Sequence, residues 1–287
     1  MLFFKDILHY PFLQFALLAA LLASAACGVL GSYVVARRSS FMVGAVSHSL
    51  LGGIGLARYA NVVLGLAFLT PMTGSIIASV IASLAITVFT ARKSSREDTL
   101  LSAVWTAGVA LGICFITAIP GYAEDLNSYL FGNILLTTPN NLLMMLVLDL
   151  LILPITWLFH TRFLALCFNE ETLTLRGISV FRTGLLLNLL TGLAIVLLSQ
   201  VVGTVMVLAL MILPSAAAYR LRHTMPSIML LSFLFCLISC VSGMALSYTF
   251  DWPASATIIL IATAIFILAA AFSVMCATMR RRKKPEL

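Results

Sequence analysis

Two ionisable side chains stand deep inside apolar runs, where a charge is expensive and therefore informative. His48 lies in "RRSSFMVGAVSHSLLGG", residues 37–53, with only small or apolar residues between it and Arg37–Arg38. At 1.5 Å per helical residue the arginines are about half a membrane thickness away. Asp149 lies in the middle of "LMMLVLDLLILP", residues 143–154. A carboxylate there costs roughly 2.5–3.5 kcal/mol on insertion scales, so it is expected to face water or a partner and not lipid. Imidazole and carboxylate are both ligands for divalent first-row ions. Each residue also has a plainer reading. A lone buried histidine is commonly a neutral, hydrogen-bonded helix residue, and Asp149 can bond to a neighbouring helix.

Other chemistries find no residues to carry them. There is no G-x-x-x-x-G-K-[ST] and hence no nucleotide loop, and no H-E-x-x-H. "CVSGM", residues 240–244, lacks the first glycine of a nucleophile elbow. The six cysteines, Cys27, Cys114, Cys167, Cys236, Cys240 and Cys276, form no C-x-x-C pair. Cys236 and Cys240 share a helix face, which reads first as small core- or lipid-facing residues. An intramembrane enzyme would need a nucleophile–base pair that the chain does not offer.

These residues must be held by membrane-spanning elements. The 287 residues are 62% hydrophobic and 9% charged, against about 25% charged in a soluble domain. The net charge of +7 does not point to nucleic acid, because the basic residues sit at the ends of apolar runs. With roughly 20 apolar residues per span, crossings are predicted near 12–36, 41–58, 62–91, 100–120, 140–160, 180–200, 203–219, 225–249 and 254–279. The expected architecture is therefore an all-α polytopic bundle of eight or nine crossings, a single transmembrane domain over 1–287. The second crossing is short, and the third, with Pro71 and Gly74, is predicted to bend or break. The first run is too long for a signal-peptide core.

Of the 17 Lys and Arg residues, all but Lys5 and Arg58 can be placed at one side. The positive-inside rule makes that side cytoplasmic, with the N-terminus outside and the basic tail, 280–287, inside. The loop "PGYAEDLNSY" with Glu124 and Asp125 then faces out. The longest inner loop is "RFLALCFNEETLTLRGIS", residues 162–179. Early acids and a closing Arg-Gly predict a short helix in it. Ser94, Ser95, Glu97 and Asp98 read as a capping box. His9, His160 and His223 read as interfacial. Pro214 removes a hydrogen bond inside a span, and the small residues after it allow close helix approach.

Five stretches, in order along nearly the whole chain, resemble the zinc/manganese/iron family of ABC-importer permeases. They are "LQFALLAALLASAACGVLGSYVVARRSS" with "SHSLLGGIGLA", "FGNILL" (131–136), "CFNEETLTLRGIS", "VVGTVMVLALMILPSAAAYRL" (201–221) and "SYTFDWPASATIIL" (247–260). The resemblance implies a type II ABC-importer-like permease in a bacterial inner membrane. It implies partners: cytoplasmic ATPase subunits, an extracellular metal-binding protein and a second permease. It implies a transported divalent metal ion, no permanently bound cofactor, and no covalent chemistry in this chain. Phe168, Asn169, Glu170, Glu171, Arg176 and Gly177 would form the coupling loop that docks on the ATPase. Glu124 and Asp125 would lie in a loop facing the binding protein.

The family segment reads Arg-Arg, then Gly-Asp-x-x-x-His. Here His48 is in place, but Gly44 stands at the aspartate position and Val43 before it. Three readings of His48 follow: it pairs with an acid from a non-identical partner permease, it meets its own copy across a two-fold axis, or it is the plain helix residue. Asp251 matches the family's D-x-P, and its first reading is an N-cap of the helix after it. A stand-alone secondary cation transporter is the alternative function.

Overall fold

The computed structural model describes residues 6–7, 9–66, 68–91, 97–119, 131–132 and 134–282. Among these there is no strand. The helices are α1 (Pro11–Ala36), α2 (Ser40–Leu64), α3 (Pro71–Ala91), α4 (Glu97–Thr117), α5 (Pro139–Leu158), α6 (His160–Phe168), α7 (Glu170–Leu175), α8 (Val180–Val202), α9 (Thr204–Leu221), α10 (Met225–Phe250) and α11 (Ala254–Arg282). A 3-10 turn, Ile134–Leu136, precedes α5. Nine of the described helices are long and apolar enough to cross a membrane.

The predicted crossings correspond one to one with these nine, but the boundary between the second and third moves. The second helix is not short: it runs to Leu64 and stops at Gly65, whose φ of +69° puts it in the left-handed region that favours glycine. Pro71 does not bend the third helix. It begins it, at the position where a missing N–H is harmless. Pro214 and Pro154, in contrast, lie inside continuous helices.

Helix α1 is the hub, packed on α5, α9 and α10, while α8 touches α3, α5 and α9. Helix α2 is sandwiched between α3 and α4, and its contact with α4 is the most extensive in the chain. That contact is made by backbone. A Cβ on Gly52 would lie 2.8 Å from the Gly108 carbonyl oxygen, and one on Gly55 2.7 Å from that of Gly112. Gly53 and Gly74 make the matching approach between α2 and α3. Without a hydrophobic drive between helices in lipid, small residues let them approach closely enough for dispersion to hold them. Bulky side chains such as Leu260, Leu268 and Trp157 point outward, as lipid-facing surfaces require.

Candidate functional site

His48 sits on α2, half-buried, on the side facing α4. Its imidazole lies flat against the Trp105 indole of α4, with ring centroids 4.4 Å apart and planes 9° from parallel. Among the described residues no hydrogen bond to the imidazole accompanies this stacking. One turn earlier is Gly44. A Cβ there would meet Trp105 Cζ3 at 3.0 Å and Leu208 Cδ1 at 3.2 Å. The same indole thus fills the space that Gly44 leaves and covers the imidazole. Phe41 also lies beside it, with 5.6 Å between ring centroids. Of the hydroxyls next to His48 in the chain, Ser49 donates to the Val46 carbonyl at 2.8 Å, and the Ser47 hydroxyl is buried without a partner.

Asp149 sits on α5 and is only 5% exposed. Its Oδ2 has no hydrogen-bond partner. Its surroundings are not those of His48. It lies near Cys27 of α1, and on the same core the Cys236 thiol of α10 donates to the Leu210 carbonyl at 4.0 Å, with Cys27, Cys236 and Cys240 all buried. The face shared by Cys236 and Cys240 is therefore a core face against α1. Among the described residues no three His, Cys, Asp or Glu side chains are arranged to hold a metal ion. The structure keeps His48 and Asp149 apart, one against α4 and the other against α1.

Asp251 is not an N-cap. It is the left-handed residue (φ +55°) that ends α10, and α11 starts only at Ala254. The short polar side chain of aspartate makes this conformation less costly than it is for bulkier residues. The Trp252 carbonyl instead accepts a hydrogen bond from Ser247 at 2.6 Å.

The second candidate region gathers at one end of the bundle. Residues 162–179 form two short helices, not one, broken at Asn169. The Asn169 side chain caps α7 by accepting from the Thr172 N–H at 3.3 Å. Phe168, Asn169, Glu171 and Arg176 are exposed, Leu175 is 88% exposed, and Glu170 is half-buried. Gly177 closes the segment at φ +69° with open space around it. A cavity of about 330 Å³ lies beneath, lined by residues that include Arg37, Arg38, Asp98, Glu170 and Asn188. The basic end of α1 and the predicted coupling loop therefore share one end of the molecule.

Two polar links tie this end to the bundle. The Tyr33 hydroxyl of α1, fully buried, hydrogen-bonds His160 Nδ1 of α6 at 2.6 Å. Phe163 packs edge-on against the same tyrosine at 5.4 Å, and the Cys167 thiol donates to its carbonyl at 3.6 Å. Arg37 donates to Asn188 of α8 at 3.3 Å, and Asn188 donates to Thr87 of α3 at 2.8 Å. His160 is thus an anchor and not merely interfacial, while His9 and His223 are exposed. Trp105, Tyr33 and the glycines of α4 were not singled out from the sequence. The spacing Gly108-x-x-x-Gly112 was the available signal. Glu124, Asp125, Ser94 and Ser95 lie outside the described residues.

Comparison with known proteins places this geometry in context. The model of the family described as "ABC 3 transport family" matches residues 9–273. The chain is 41% identical over 244 residues to a probable metal transport system membrane protein of Chlamydia pneumoniae, covering 85% of this chain and 83% of that one. It is 36% identical over 271 residues to the manganese transport system membrane protein MntC of Halalkalibacterium halodurans, covering 94% and 90%. It is 32% identical over 268 residues to a probable iron transport system membrane protein of Haemophilus influenzae, covering 93% and 95%. Among solved structures, one of PsaBC from Streptococcus pneumoniae in complex with Fab superposes with a TM-score of 0.80 at 29% identity, covering 93% of this chain and 94% of that one.

Proposed function

The chain belongs to the ABC 3 transport family, and from that premise we propose that it is the permease subunit of an ATP-driven importer of divalent metal ions. The observation that carries this reading is the match, over most of the length of both chains, to membrane proteins named for metal, manganese or iron transport. Nine apolar helices among the described residues, with no nucleotide-loop motif in the sequence, fit a subunit that forms a pathway and leaves ATP hydrolysis to others.

The partners in this reading are cytoplasmic ATPases, an extracellular metal-binding protein and a second permease. The ATPase docks on α6–α7, the exposed double helix around Phe168, Glu171, Arg176 and Gly177. The abundance of Lys and Arg at that end makes it the cytoplasmic one, with the N-terminus outside. Glu124 and Asp125 belong to the side that meets the binding protein. The cargo ion passes His48, an unbonded imidazole half-exposed on the chain's surface, where a second permease would close the pathway. Gly44 leaves no carboxylate at this level, so that partner is non-identical and supplies the acid. Asp149, buried and one oxygen short of a partner, serves as a second polar station.

The test is a transporter complex purified through a tag on this chain. His48→Ala should cut metal uptake sharply at unchanged membrane abundance, and a second permease species should co-purify. Normal uptake by His48→Ala would remove His48 from the pathway. A complex that contains only this permease and still moves metal would refute the non-identical partner.

A further inference from the structure

We propose that Trp105 is a specificity-determining residue of the ion pathway, closing one face of the His48 imidazole and filling the place of an oxygen ligand beside it. The inference rests on the reading of His48 as a pathway residue and adds what that residue can select.

The geometry is specific. The indole is parallel to the imidazole at 4.4 Å, and it stands within 3.0 Å of where a side chain on Gly44 would begin. An imidazole binds a metal through an in-plane lone pair, so a ring stacked on its face leaves the binding edge open while restricting rotation. No hydrogen bond competes for the ring nitrogens among the described residues. The neighbouring hydroxyls are occupied or enclosed: Ser49 is bonded to a backbone carbonyl and the Ser47 hydroxyl is buried. At the level of His48, the described residues of this chain therefore present a passing ion with one oriented nitrogen and no oxygen. Imidazole suits zinc, iron, copper and nickel, whereas carboxylate and water oxygens suit manganese, magnesium and calcium. Trp105 thus biases this half of the pathway toward the imidazole-preferring ions, zinc over manganese. Because His48 and Trp105 are both half-exposed, the bias acts on the chain's own surface, whatever ligands a partner adds.

The experiment is competitive uptake of zinc and manganese by the intact complex in liposomes, read as the ratio of initial rates. Trp105→Phe keeps an aromatic face on His48 and should hold the ratio within about twofold of wild type. Trp105→Ala with Gly44→Asp makes room for a carboxylate one turn from His48 and should move the ratio toward manganese by about tenfold. Trp105→Ala alone, which admits water oxygens, should move it in the same direction by about threefold, and this decides the matter if the double variant does not assemble. His48→Ala separates the two levels. If it leaves uptake of both ions unchanged, the pathway reading fails. If it abolishes uptake while the ratio stays fixed in the Trp105→Ala variants, or shifts equally in Trp105→Phe, the role of Trp105 is refuted and the pathway reading stands.

Discussion

Replacing Gly108 with alanine is expected to disturb the site without touching any residue that meets an ion. A Cβ at Gly108 would lie 2.5 Å from Ser49 Cα and 3.0 Å from Ser49 Cβ. Both belong to the helix that carries His48, and the nearer atom is backbone, which cannot rotate away. Helices α2 and α4 must part by about 1 Å before this becomes an ordinary contact. Overpacking of this kind costs about 1–3 kcal/mol, a factor of roughly 5 to 150 in a folding equilibrium. Gly108 is three residues, one helical turn, beyond Trp105 on the same face. The separation therefore falls where the indole and imidazole stack at 4.4 Å. The assay is the unfolding midpoint of the purified protein, alongside metal uptake. Gly184→Ala is the control, because a Cβ there meets nothing closer than Arg37 Nη2 at 3.7 Å. If Gly108→Ala is as stable and as active as Gly184→Ala, the argument that glycine contacts seat the α2 site is wrong.

Three further outcomes are expected. Tyr33→Phe keeps the packing on Phe163 but removes the 2.6 Å bond to the half-buried His160, worth about 0.5–1.5 kcal/mol; ions moved per ATP hydrolysed should fall, and an unchanged ratio in liposomes would mean that this bond does not transmit the ATPase stroke. Gly177→Val forces a branched residue to φ +69° in open space, at about 1–3 kcal/mol of local strain; the protein should still insert but lose transport-coupled ATP hydrolysis, and retention of wild-type coupling would place the docking site elsewhere. Burial pushes the Cys167 thiol up to about 11, against an opposing pull from Arg37. Its neutral form therefore favours the fold fully below the ordinary thiol value of 9.0, and this contribution is lost as pH rises through about 11. Mass spectrometry should find Cys167 unmodified by iodoacetamide at pH 8 in the native protein, and alkylation at the rate of the unfolded chain would contradict the burial.

The number and order of the helices were legible in the sequence, because the bilayer imposes a length on each apolar run and no backbone group can go unpaired inside it. The same one-dimensional logic placed the basic residues at the ends of the runs, and the register of motifs announced the family. Boundaries were less secure where one residue serves two purposes. Pro71 suits a bend as well as a start, and Asp251 suits an N-cap as well as a left-handed stop; the choice depended on where Gly65 and Ala254 let the backbone turn. His48 and Asp149 could be singled out by their cost in lipid, but hydropathy does not say which neighbour covers a side chain. That Trp105 lies on His48, or that Tyr33 bonds a histidine 127 positions away, follows from how α4 and α6 pack. Packing in lipid is decided by close backbone contacts between glycines on different helices, a matter of three-dimensional fit that no local pattern of apolar and polar residues encodes.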